Sequence, residues 1–356
     1  MNHTTPSRFA CLCVFALAHF ALLFPFVLSA GFEDPYNYSV EGDEVHIHNV
    51  ETSVSGALIV PDKIEGYSVT VINDNAFGQC SALTSVTLPD SIKYIGNSAF
   101  QMCSSLATIN IPNNVTNIGE FAFSLCVSLT DITIPSSVTF IGEQAFVACH
   151  SLTNITVAAS NTTYADINGT LCDKSLVTLL ACPNGLTGTY TIPADVTRIG
   201  NSAFYGCTSL TAVVVHSGVT SIGDEAFAEC FSLTSVLFKG NVPTEVGNEV
   251  FYDTPATVYY LPGASGWDDI FCERPTAIWN AAFSTTAPPQ IDATGAFTFN
   301  LTGNEGIPVC IEACNDLATQ NWIILTNTTM SSSETFDFTD PDAATYPTRF
   351  YRFTFP

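Results

Sequence analysis

Between residues 67 and 241 the apolar positions return with a fixed rhythm. The stretch "IGNSAFQMCSSLATINIP" occupies residues 95–112, "IGEFAFSLCVSLTDITIP" residues 118–135 and "IGNSAFYGCTSLTAVVVH" residues 199–216. Aligned on the Phe of the Ala-Phe pair, Phe77, Phe100, Phe123 and Phe146 stand 23 residues apart, as do Phe204 and Phe227, and Phe251 follows after 24. The interval from Phe146 to Phe204 is 58, one ordinary unit plus one of 35 residues. A fixed period of this size marks a solenoid, in which one coil cannot bury its apolar side alone and stacking buries it.

Each slot of the unit has a physical reading. Leu106, Ile109 and Ile111 carry the spacing of a short strand with one face inward, and Pro112 ends it by removing a donor. Ala99, Phe100 and Cys103 fit a single helical turn, while a full helix has no room in 23 residues shared with a strand and two bends. Gly96, Gly119, Gly142, Gly200 and Gly223 follow the last core isoleucine of each turn and are expected at positive φ; Asn73 in that slot of the first unit fits this reading. Stacking should set Phe on Phe along one continuous file, with strands about 4.8 Å apart in a parallel sheet.

The cysteines follow the same rhythm. Cys80, Cys103, Cys126, Cys149, Cys207 and Cys230 each sit three residues after a repeat Phe, so they share one role instead of forming pairs. A buried cysteine packs as a small hydrophobe. The chain has no CxxC pair, which leaves zinc without its usual ligand spacing, and metal and cofactor are both expected to be absent.

Composition narrows the partners. Nine Lys and Arg stand against 33 Asp and Glu, a net charge of −24. That disfavours nucleic acid and anionic membrane surfaces, which reward positive charge. Residues 1–30 read as a signal peptide, with Arg8 before "FACLCVFALAHFALLFPFVL" and cleavage after Ala30; an uncleaved anchor is the alternative. No stable membrane span is expected after cleavage.

The unit "IGxxAFxxCxSLxxIxIP" resembles the BspA-like class of leucine-rich repeats. The resemblance implies a horseshoe with parallel strands on the concave face, short turns on the convex face, and secreted or surface proteins that bind other macromolecules, often as adhesins. Around the repeats (67–241) we read an N-terminal β cap (31–66), an expanded unit (158–195), a C-terminal repeat cap (242–280) and a small antiparallel β-sandwich (281–356). The expanded unit is similar to inserts in that family, which usually hold aromatic or aliphatic residues where Cys172 and Cys182 stand. Those two are core substitutes or a disulfide. Trp267 and Trp279 are expected to cover the open end of the core. The last segment resembles a C-terminal module of secreted bacterial proteins.

With the strands on the concave side, the residues between core positions face outward there. They are Ser85, Thr87, Thr108, Asn110, Asp131, Thr133, Asn154, Thr156, Ala212, Val214, Ser235 and Leu237, expected as a ligand-binding face with an exposed apolar patch at Val214 and Leu237. Candidate chemistry is sparse. His46 and His48 share a strand face as a metal pair or as plain surface, and Asp337, Asp340 and Asp342 suggest calcium or a solvated turn. No nucleophile, zinc, P-loop or dinucleotide motif occurs. The sequence reads as a secreted or cell-surface, non-enzymatic protein that binds a protein or glycan. A structural envelope protein docked by its C-terminal module is the alternative, and a glycan-active enzyme the remote one.

Overall fold

The computed structural model describes residues 27–33, 35–279, 281–283, 288–303, 308–330 and 335–354. The charged and apolar parts of the expected leader, residues 1–26, lie outside them. The fold is mainly β; among the described residues the only helical element is one 3-10 turn, Ala343–Thr345.

Every coil contributes to two parallel ladders. The isoleucine before the glycine slot ends a two-residue strand, and Tyr94–Ile95, Asn117–Ile118 and Phe140–Ile141 pair in register. Arg198–Ile199, Ser221–Ile222 and Glu245–Val246 continue the pattern beyond the expanded unit. The leucine-rich stretch forms the longer strands. Asp131–Ile134 pairs with Asn154–Val157, and Leu210–Val215 with Ser235–Phe238. This long-strand ladder starts earlier than the period suggests. Gly56–Ile59, read as part of the cap, is a parallel rung that aligns Ile59 with Thr87.

The third side of the coil carries no helical turn. Ser98 and Met102 have left-handed φ values of 52° and 62°, and Phe121, Leu125, Glu225 and Glu229 repeat this. The alternation turns every second N–H outward, so that Ser98, Phe100 and Met102 donate to carbonyls of the next coil at 2.7–2.8 Å. A helical turn would aim those donors along its own axis and leave neighbouring coils unbonded, which is why the expected turn does not form.

The glycines also differ from expectation. Gly96, Gly119, Gly142, Gly200 and Gly223 are absent from the positive-φ region, as is Asn73. Their role is close approach. A β-carbon on Gly119 would lie 2.5 Å from the Asn97 amide nitrogen and the Gly96 carbonyl carbon, and one on Gly223 2.5 Å from the Asn201 amide nitrogen. Each glycine therefore lets one coil rest on the backbone of the coil before it.

The phenylalanines form two files. Phe77, Phe100, Phe123 and Phe146 stack at 4.7, 5.3 and 5.8 Å between ring centroids, and Phe204, Phe227 and Phe251 at 4.9 and 5.3 Å. The expanded unit interrupts the expected single file. There the Tyr190 ring meets Phe204 edge-on at 5.4 Å, and its hydroxyl hydrogen-bonds that of Thr170 at 2.9 Å.

The cysteine slot is more than apolar filling. The thiols of Cys103, Cys126, Cys149 and Cys230 donate to the phenylalanine carbonyl of the preceding coil at 3.0–3.1 Å. The last unit holds Thr254 in this slot, and its hydroxyl donates to Phe227 O at 2.6 Å. A donor of small volume is what the position requires. Cys126→Thr should therefore be milder than Cys126→Val, which removes the donor, by about 1 kcal/mol in urea unfolding. Equal losses would leave the thiol as filler.

All described cysteines are free, Cys172 and Cys182 included. Burial pushes the thiols of Cys80, Cys149 and Cys172 up to about 12 from an ordinary value of 9.0. In the unfolded chain they ionise first, so their contribution is complete below pH 9 and is lost as pH rises from 9 towards 12. Urea midpoints measured across that range should fall while those between pH 7 and 8 stay level.

Both ends are capped. Tyr36–Glu41 and Glu44–Val50 form a hairpin that pairs with Tyr67–Ile72 and covers the first coil. At the other end Trp267 stacks on Tyr260 at 5.3 Å, and Phe271 meets Phe251 edge-on at 6.4 Å. Beyond lie two antiparallel sheets. Phe297–Gly303 pairs with Thr335–Asp340 in one, and Pro308–Cys314 is flanked by Ile323–Thr329 and Phe350–Thr354 in the other.

Candidate binding surface

The long-strand ladder presents one alternating row to solvent. Ile132, Ile134, Ile155 and Val157 point inward and are buried. Thr87, Thr108, Asn110, Asp131, Thr133, Asn154 and Thr156 are exposed, and Ser85 is half-buried. Register holds these residues in columns: Ser85 lies beside Thr108, Asp131 beside Asn154 and Thr133 beside Thr156. Ala57 and Ile59 extend the columns by one rung, and Ile59 is 75% exposed. The sequence reading missed this apolar residue because Gly56–Ile59 lies outside the clear period.

Several face residues also have structural duties. The Asn110 side chain accepts from Leu88 N at 2.9 Å and donates to Leu88 O at 3.0 Å. It thus replaces backbone pairing where the strand Thr108–Ile109 stops. Asn154 Nδ2 donates to Thr156 Oγ1 at 2.8 Å, and Thr130 Oγ1 donates to Asp131 Oδ2 at 2.9 Å.

The expected apolar patch is not open. Val214 and Ser235 are each 1% exposed and Leu237 is fully buried, as is Ala212 within 2%. Ala212, Val214, Leu237 and Tyr259 form one cluster with Phe299, Leu301, Ile311 and Phe338 of the C-terminal sheets. The chain covers the patch with its own last module. Trp279 belongs to this cluster too, so it seals the module against the ladder instead of capping the coil end. The signal was present in "TAVVV", since a strand apolar on both faces is one buried on both faces.

The expanded unit interrupts the open face. Its strands Tyr164–Ile167 and Thr170–Asp173 form an antiparallel pair beside Asn154–Val157. Buried Asn161 pins the unit by donating to Pro135 O and Val138 O at 2.8 and 2.9 Å. His216 bonds Pro193 O and Val196 O at 3.0 and 2.9 Å. These contacts assign both polar side chains to turn closure.

The remaining candidates disperse. His48 is engaged by Ser39 Oγ at 2.7 Å and by Asn73 Nδ2 at 2.9 Å, while His46 lies 3.5 Å from Glu41. Asp340 is buried in an ion pair with Arg349 at 2.7 Å and accepts from Tyr351 OH at 2.9 Å, whereas Asp337 accepts from Asn300. Asp340 and Asp337 are thus each engaged by other side chains. Among the described residues no cluster of three or more His, Cys, Asp or Glu could hold a metal ion, and no helix is long and apolar enough to cross a membrane.

The repeated coil, its glycine contacts and its two ladders define a leucine-rich-repeat solenoid. The sequence matches the BspA type leucine rich repeat region in six copies over residues 64–169 and 183–263, more than half of the chain. The chain belongs to that family. Among solved structures it is similar to a leucine-rich repeat protein from Bacteroides capillosus, with 31% identity, 37% of this chain and 99% of that one covered, and a TM-score of 0.34. A leucine-rich repeat protein from Eubacterium ventriosum shows 22% identity, covering 65% of this chain and 72% of that one with a TM-score of 0.46. A leucine rich cell surface protein from Faecalibacterium prausnitzii shows 22% identity, covering 66% and 89% with a TM-score of 0.34. No curated protein matches the chain.

Proposed function

We propose that this protein acts outside the cytoplasm, secreted or at the cell surface, as a non-enzymatic binder of a protein or glycan. The ligand surface is the open part of the long-strand ladder. The observation that carries this reading is the row of mostly small and polar side chains from Ser85 to Thr156, exposed but for half-buried Ser85 and held in register within two pairs of rungs. A rigid sheet of this kind meets a ligand with little ordering cost. The leader-like N-terminus supports export. The acidic balance, −24, supports a partner that is neither nucleic acid nor an anionic membrane.

The proposed surface is narrower than the full set of columns. Val214, Ser235 and Leu237 lie under the C-terminal module, and Asn110 is committed to Leu88. Asp131, Thr133, Asn154 and Thr156 form its centre, with Ile59 as an apolar contact at one end. An array of glycans and matrix proteins should yield a ligand for the wild type. The triple change Asp131→Lys, Thr133→Lys and Asn154→Lys should weaken that ligand by at least about tenfold in a chain that still folds, as circular dichroism would show. Retained affinity would remove this face from the function.

A further inference from the structure

A cavity of about 460 Å³ opens at the break between the two phenylalanine files. Its lining comes from the turns, the short-strand ladder and the antiparallel pair of the expanded unit, with no residue of the long-strand ladder proposed above. Phe146, Leu171, Leu180, Ala181, Cys182 and Ala203 supply apolar surface. The volume lies within the range of small-ligand pockets, and an apolar cavity of about 150 Å³ already admits one benzene ring.

The break has a stereochemical cause. Cys182 N donates to Ala203 O at 2.7 Å, the bond that Phe100 N makes to Ala122 O and Phe123 N to Ala145 O. Asn184 Nδ2 donates to Tyr205 O at 2.8 Å, where the next main-chain donor of the turn would stand. The expanded unit thus retains an abridged turn in which cysteine occupies the phenylalanine slot. The ring that should follow Phe146 is missing from the file.

Main-chain donors mark the same place. In the turns at Phe77, Phe100, Phe123, Phe204 and Phe227, the phenylalanine amide and the amides two residues before and after it each bond the next coil. At the Phe146 turn the corresponding amides, those of Gln144, Phe146 and Ala148, have no acceptor among the described residues. Gln144 and Phe146 line the apolar space, where one face of the Phe146 ring has no partner in the file; together they are the half-built edge of a coil. Glu143 lines the mouth, the Gln144 side chain reaches Ser202 Oγ at 3.0 Å, Tyr205 OH donates to Glu229, and no lysine or arginine is among the lining residues.

We propose that this cavity receives an extended peptide segment of a partner protein, neutral or basic and bearing one aromatic side chain. Its carbonyls would accept from the Gln144 and Phe146 amides that line the cavity, and its ring would continue the file beyond Phe146. Main-chain bonds supply affinity and the ring pocket supplies selectivity, as in strand addition to an open sheet edge. The acidic mouth and the missing cations disfavour an anionic aromatic ligand.

The test uses the full chain and a fluorescent, N-acetylated, C-amidated peptide, Asn-Ser-Ala-Phe-Gln-Met, copied from residues 97–102. Saturable binding is expected, with slowed hydrogen exchange at the Gln144 and Phe146 amides. Replacing the peptide phenylalanine by alanine should weaken binding at least about tenfold. Cys182→Phe, which rebuilds the missing ring, should abolish binding; Ala181→Leu narrows the cavity from another side and serves if C182F does not fold. Absence of saturation, equal binding of the alanine peptide, or full binding by a folded variant with the space filled would overturn the proposal. So would toluene competing for the site while the peptide leaves those two amides unprotected.

Discussion

Phe123→Ala should lower stability by about 3–5 kcal/mol, seen as a fall in the urea midpoint at unchanged slope. Phe123 is fully buried and stacked on both sides, on Phe100 at 5.3 Å and on Phe146 at 5.8 Å. Truncation removes the ring's burial and leaves a void that the two coils cannot close, because glycine contacts and turn hydrogen bonds already fix their spacing. Phe146→Ala should cost less, since its ring stacks on Phe123 alone and its other side adjoins existing empty space. A loss under about 1.5 kcal/mol for Phe123→Ala would mean that the ring file does not hold the coils together.

Gly119→Ala should be comparably severe for the opposite reason. One added carbon would stand 2.5 Å from two backbone atoms of the preceding coil, and no rotamer change can relieve a clash with backbone. The coils would have to part, stretching both ladders, and we expect a loss of about 3 kcal/mol. Gly42→Ala is the control. Gly42 has φ +64° with nothing within 4 Å of an added carbon, so only the left-handed penalty of about 1–2 kcal/mol applies. Similar losses at the two positions would show that crowding does not fix the coil spacing.

The repeat and its strands were legible because period and apolar spacing are local properties of the chain. The conformation of the glycine slot was not. Glycine serves equally where φ is positive and where backbones touch, and only the neighbouring coil distinguishes the cases. Asn73 misled for the same reason. Its slot faces the N-terminal hairpin, where the side chain bonds His48, so a β-carbon is tolerated without a left-handed φ. The thiol's donor role left a trace in Thr254, which occupies the cysteine slot, but its acceptor lies a whole coil away. On the candidate face, alternation placed Asp131, Thr133, Asn154 and Thr156 correctly on the open side. It could not place Val214 and Leu237, because what covers them arrives from the far end of the chain. The run of valines was the available sign.

The substitution of Cys182 for a ring divides the solenoid energetically as well as geometrically. In a linear array each unit gains order only from its neighbours, so a weak contact between two units sets how far unfolding can spread. Two blocks separated at residues 161–195 can then open independently. The second is tied down by the sheets packed on its strands, whereas the first depends on its hairpin lid alone. The block that carries the open polar columns should therefore be the first to unfold, as one unit, on heating or in urea, while its rungs stay ordered in the native state.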